Sequence, residues 1–116
     1  MVQNDEGFFS ARDNLRLFWE SHVPDSPKAH VAIIHGYGDH AGRYRRTSEA
    51  LVKDGFGVHA FDYRGHGQAD GRRGYADKWR DFVSDLELFL EKAKTKASGK
   101  KLFVLAHSHG GLMMVI

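Results

Sequence analysis

Apolar residues along the chain follow two different periods, and the switches between them mark out the elements. Leu102, Phe103, Val104, Leu105 and Ala106 form an unbroken apolar run of strand length, the pattern of a strand buried on both faces in a parallel sheet. Residues 30–35 (HVAIIH) and 58–62 (VHAFD) read the same way. Further on, Trp79, Phe82, Val83, Leu86, Phe89, Leu90 and Ala93 recur at i, i+3, i+4, i+7 spacing, which predicts an amphipathic helix capped by Asp77 and stopped by Gly99. That stripe is core, not a cofactor site. Residues 43–54 predict a more polar surface helix with Tyr44, Ala50 and Leu51 at helical spacing and Gly55 as its stop.

Residues 7–12 and 15–22 predict an antiparallel hairpin turning at Asp13-Asn14. Leu15, Leu17 and Trp19 alternate with Arg16 and Glu20, so one face is expected to be buried, although Phe18 breaks the alternation. Pro24-Asp25-Ser26-Pro27 predicts a loop, because prolines so close oppose both helix and ladder. Strands alternating with helices after a hairpin give an α/β domain with a mostly parallel sheet, whose ligand site lies at the carboxyl ends of the strands. The loops after His35, after Asp62 and after His107 meet at that edge.

The third loop carries the candidate chemistry. Ser108 sits between the apolar run and a helix start, with Ala106 two residues before it and Gly110 two after. A serine hydroxyl is a poor nucleophile unless it is held exposed beside a base and near donors for a developing oxyanion, and a tight strand-to-helix turn with small flanking residues does this. The chain spells A-H-S-H-G where the usual elbow is G-x-S-x-G. Gly110 and Gly111 are expected to let the helix start press against neighbouring backbone, with the positive helix end favouring an oxyanion. By itself the pattern also fits a buried strand ending in a Ser-Gly helix start with no chemistry.

Composition narrows the classes. The chain has 116 residues, 41% of them hydrophobic, and 17 basic against 15 acidic residues, a net charge of +2. That balance does not indicate nucleic acid, and the short clusters Arg43 to Arg46 and Arg72-Arg73 read as solvated surface. The start has no basic stretch followed by an apolar one, and no run reaches the length needed to span a bilayer, so a soluble, cytoplasmic protein is expected. The absence of cysteine fits a reducing compartment and removes thiolate catalysis and thiolate metal sites.

Eight histidines invite a metal reading. His35 with His40, or His107 with His109, lack an accompanying acid in a known ligand register, so no metal is expected. A dinucleotide-binding unit is a second alternative: Gly36-x-Gly38-x-x-Ala41 follows a strand, and Asp62 ends the next one. Against it, Arg43, Arg45 and Arg46 make a polar helix start, and the residues around Ser108 stay unexplained.

Three motifs occur together and in order: residues 35–44 (HGYGDHAGRY), residues 61–68 (FDYRGHGQ) with Asp70-Gly71, and residues 106–111 (AHSHGG). On these the chain resembles the N-terminal half of the α/β-hydrolase fold, and within it the monoacylglycerol lipase and lysophospholipase branch. The resemblance implies Ser108 as nucleophile, the backbone amides of Tyr37 and His109 as oxyanion hole, and His35, Gly36, Gly38 and Gly110 as the supporting loop and turn. Asp62 and Gly65-His66-Gly67 are read as structural. It also implies hydrolysis of a carboxylic ester (monoacylglycerol, lysophospholipid or small ester) through an acyl-enzyme, transient contact with a membrane surface, and no cofactor. A non-catalytic, hydrolase-like binding protein is the alternative.

In that family the acid and the histidine base follow the serine, whereas the residues after Ser108 supply no carboxylate and only His109. Residues 1–116 are therefore expected to be the N-terminal half of a single domain, inactive without a C-terminal half. The strand before Ser108 would keep an unpaired edge, and Leu112, Met113, Met114, Val115 and Ile116 would lack a partner layer, so self-association is expected.

Overall fold

The computed structural model of the chain describes residues 1–114. Val115 and Ile116, part of the apolar patch expected above, lie outside the described residues.

The opening hairpin consists of β1 (Val2–Ser10) and β2 (Arg16–Pro24), paired from Val2 opposite Pro24 to Ser10 opposite Arg16. Asn14 takes φ 68° in the turn, the left-handed conformation that asparagine tolerates. Pairing carries both strands beyond the apolar pattern: β1 begins at Val2 and not at Gly7, and Pro24 ends β2 instead of opening a loop. A proline is accommodated at a strand end because its missing N–H need not serve the ladder. The expectation of one buried face in β2 is also corrected. Leu17 packs with Ala11 and Ala69, while Phe18 on the opposite face is buried as well and meets Phe8 edge-on at 5.6 Å. Phe18 breaks the alternation because β2 is an inner strand, paired with β1 on one side and β4 on the other.

The rest follows as β3 (Ala29–Ile34), a 3-10 turn (Ala41–Tyr44) leading into α1 (Arg45–Lys53), β4 (Phe56–Asp62), α2 (Trp79–Ala97), β5 (Leu102–Ala106) and α3 (His109–Met114). The sheet order is β1-β2-β4-β3-β5, with β4 antiparallel to β2, and β3 parallel to both β4 and β5. All six residues of β3 are buried, and their alternation divides the core. Val31 and Ile33 pack with Val58, Ala60 and the Leu51 and Val52 side chains of α1. Ala32 and Ile34 face the other way, onto Phe61 and the Phe82, Leu86, Phe89 and Ala93 stripe of α2. Phe61 and Phe89 stack at 4.3 Å. Each such fully buried side chain contributes roughly 1.5–3 kcal/mol over an exposed one.

Two helix ends differ in detail from expectation. Lys78, not Asp77, occupies the cap position of α2, and its amide donates to the Asp81 carboxylate at 3.3 Å. An acid in the first turn serves the helix dipole there. At the far end Ser98 turns left-handed at φ 52° ahead of Gly99.

The larger correction concerns β5. Its apolar run suggested burial on both faces, yet Phe103, Val104 and Leu105 are 54%, 38% and 45% exposed. Among the described residues β5 is paired on one edge only, by β3. The helical patch is interrupted as well: Leu112 is exposed, but Met113 is buried and joins the core beneath α2.

Candidate active site

β5 brings the chain to the carboxyl edge of the sheet, where the His107 amide donates to the Ile34 carbonyl at 3.1 Å and closes the ladder. Ser108 then takes φ 53° and is exposed. The left-handed region costs a non-glycine residue about 1–2 kcal/mol, so the turn must be held from outside. It is held by close packing. A Cβ at Gly110 would lie 2.7 Å from the carbonyl oxygens of both Ile34 and His35, so only glycine lets α3 start this near the sheet. Gly111 has nothing within 4 Å of such a position, and the expectation that it too presses on backbone is corrected. From the other side, a Cβ at Gly36 would lie 3.0 Å from His107 Nδ1 and 3.7 Å from Ser108 Cβ, so the loop after β3 lies against the serine turn.

That loop is anchored by His35 and Asp62. The buried His35 donates from Nδ1 to the Gly36 carbonyl at 2.8 Å, which leaves Nε2 without a proton and 3.7 Å from Asp62 Oδ1. Burial lowers the His35 pKa to about 4, so the ring is neutral. Asp62, at the end of β4, accepts the Ala41 amide at 2.7 Å and the Gln68 amide at 3.0 Å. Burial raises its pKa while these two amides lower it. With its oxygens turned to the chain's own amides, Asp62 joins the loops after β3 and β4 and is not presented to a ribose. Gly38, at φ 75° with open space around it, matters for its backbone conformation alone.

Tyr37 is 60% exposed, and its hydroxyl donates to the Gly74 carbonyl at 2.6 Å, tying the loop after β3 to the one before α2. Its ring meets His109 edge-on at 5.6 Å. Of the histidines flanking Ser108, His107 is exposed with Nδ1 close to Gly36, while His109 Nδ1 meets the Tyr63 hydroxyl at 3.2 Å. Burial lowers the His109 pKa and raises that of Tyr63. Among the described residues no group of three or more His, Asp or Glu side chains could hold a metal ion. A hollow of about 510 Å³ between the hairpin and α1, lined in part by Glu6, Glu20 and Ser48, includes no residue of the serine turn.

Two contributors escape the sequence reading. Tyr63 lies in the second motif with no local mark of a role, yet it is fully buried between His35 and His109. Asp85 carries a visible signal, since it is a carboxylate lodged in the apolar stripe of α2; it is fully buried and paired with Arg64.

Comparison with known proteins agrees with this architecture. A monoacylglycerol lipase of Mycolicibacterium smegmatis is 33% identical over 107 residues, which is 91% of this chain and 38% of that protein. The human monoglyceride lipase is 33% identical over 91 residues, 78% of this chain and 30% of its own length. A solved soluble variant of the Saccharomyces cerevisiae monoglyceride lipase, in complex with a substrate analog, superposes with a TM-score of 0.79 at 30% identity, covering 94% of this chain and 36% of that one. The chain thus spans about a third of the length of these relatives and matches their N-terminal part. No described helix is long and apolar enough to cross a membrane. Residues 25–116 match the hydrolase family described as serine aminopeptidase, S33. The chain belongs to that family, and its sheet and helices are the N-terminal portion of an α/β-hydrolase fold.

Proposed function

We propose that the whole protein is a serine hydrolase of carboxylic esters and that Ser108 is its nucleophile. One observation carries the reading: Ser108 is exposed in a left-handed turn that is held in place by a glycine contact on either side. In this reading Ser108 Oγ attacks the ester carbonyl carbon as its proton passes to a histidine base. The Tyr37 and His109 amides donate to the oxyanion, and His35, Gly36, Gly38 and Gly110 support them. Collapse of the tetrahedral intermediate breaks the ester bond, and the alcohol leaves with the proton. Water then releases the acid by the same route in reverse. The names of the relatives favour a monoacylglycerol, with a lysophospholipid or small ester as neighbouring choices, and a lipid substrate brings the protein to a membrane surface transiently.

The acid and base are supplied from outside the described residues, in a part of the same α/β domain that covers β5. The open strand edge supports this, as does the engagement of His109 Nδ1 by the Tyr63 hydroxyl. Until covered, that edge is a site of self-association. The cysteine-free sequence fits a cytoplasmic setting.

A fluorophosphonate probe applied to the whole protein tests the reading: it should label Ser108, and Ser108→Ala should abolish ester turnover. A panel of monoacylglycerols, lysophospholipids and short-chain esters then identifies the substrate. No labelling of a folded, whole protein would favour the non-catalytic binding protein instead.

A further inference from the structure

Tyr63 follows the last residue of β4, and none of the chemistry proposed above uses it. Its ring stacks on His35 at 4.2 Å with the planes 9° apart. Its hydroxyl lies 3.3 Å from the His35 carbonyl oxygen and 3.2 Å from His109 Nδ1. Those partners belong to the two backbone segments whose amides, Tyr37 and His109, would face the oxyanion. A phenol has one proton to donate, and a carbonyl only accepts. Both contacts are made together only if Tyr63 donates to His35 and His109 donates from Nδ1 to Tyr63. The pattern therefore selects the Nδ1–H form of the His109 ring.

We propose that Tyr63 is a positioning residue, a latch between the loop after β3 and the start of α3 that sets the separation of the Tyr37 and His109 amides. This rests on the reading of Ser108 as nucleophile. The setting is crowded. Around the His109 ring stand Trp79 at 4.9 Å, Phe82 at 5.3 Å and Tyr37 at 5.6 Å, with Tyr63 itself at 5.8 Å. Because Tyr63 is fully buried, its hydroxyl cannot exchange these partners for bulk water. The His35 carbonyl it holds is also the one that Gly110 approaches too closely for any side chain to intervene. A displacement of about 1 Å in such a constellation costs on the order of 100-fold in rate.

Nitrogen-15 NMR of the histidine-labelled whole protein, with His109 assigned by its loss in His109→Gln, reads the latch without any activity. The expected result is the Nδ1–H form in wild type and loss of that preference in Tyr63→Phe. Fluorophosphonate labelling of Ser108 in the whole protein reads its consequence: in Tyr63→Phe the maximal labelling rate should fall about 10- to 100-fold, with the half-saturating probe concentration unchanged. A wild-type His109 in the Nε2–H form overturns the latch, and it does so even if the variant fails to fold. So does a Tyr63→Phe protein that labels as fast as wild type. An unlabelled wild-type protein overturns instead the reading of Ser108 on which the latch depends.

Discussion

Arg64 and Asp85 form a buried two-point ion pair, Nε to Oδ2 at 2.9 Å and Nη2 to Oδ1 at 2.8 Å, and Asp85 also accepts the Arg64 amide at 3.2 Å. The outer side of the same guanidinium grips Asp13 at 2.8 and 3.1 Å, so one side chain joins the hairpin turn, the loop after β4 and α2. Removing Asp85 takes away the buried half of this network and leaves the guanidinium held only from its outer side by the half-exposed Asp13. Asp85→Ala should cost about 3–5 kcal/mol, whereas Asp13→Ala, whose side chain is 56% exposed, should cost about 1 kcal/mol or less. Urea unfolding of both variants checks the ranking, and equal losses would refute it.

The two glycines after the serine turn should behave oppositely. Gly110→Ala forces a methyl against two carbonyl oxygens of β3 and its loop, and overpacking of that kind costs about 1–3 kcal/mol. Gly111 is helical with open space around it, so Gly111→Ala should stabilise by about 0.5–1 kcal/mol. Thermal unfolding of the pair reads both signs in one comparison.

Acid should weaken the fold before carboxylates protonate. Ser21 Oγ, His59 and His30 form a buried chain across three strands, with contacts of 2.7 Å and 2.8 Å. Burial lowers the His59 pKa from 6.5 to about 4 and does the same to His35, while His30 is lowered by burial and by Lys100. Because these folded-state values lie below the unfolded ones, the unfolded chain takes up protons first as pH falls. The histidine contribution is complete above about pH 6.5 and is lost progressively down to about pH 4, at up to about 1.4 kcal/mol per pH unit for each ring. Urea midpoints measured from pH 7.5 to 4.5 should fall, and less steeply in His59→Phe. A flat profile would contradict neutral buried histidines.

The strands, the two long helices and the serine corner were legible because each leaves a local mark: an unbroken apolar run, a 3.6-residue stripe, a serine between small residues. Contacts that depend on distant partners were not. Tyr63 meets His109 from 46 residues away, and Arg64 finds Asp85 across 21, with no spacing rule to join them. The apolar run of β5 misled for a related reason. Its composition records that the strand is suited to burial, but which neighbour covers it is not a property of those five residues.

That open strand carries the last prediction. Bonds from the His30 amide to the Lys101 carbonyl and from the His107 amide to the Ile34 carbonyl fix the phase of the β3–β5 ladder. In a parallel pair bonding alternates, so the odd-numbered residues of β5 serve β3 while Leu102, Val104 and Ala106 point their N–H and C=O groups outward. Unpaired groups on a strand that also exposes Phe103 and Leu105 template pairing with a second copy. The 116-residue chain should therefore associate in a concentration-dependent way. Val104→Pro should suppress that association, because the ring removes an outward N–H and leaves every β3 bond intact. Sedimentation velocity across a concentration series, with circular dichroism to confirm that the variant is folded, separates the outcomes. A wild-type chain that stays monomeric, or a folded Val104→Pro that associates as strongly as wild type, would show that the edge of β5 is not the adhesive surface.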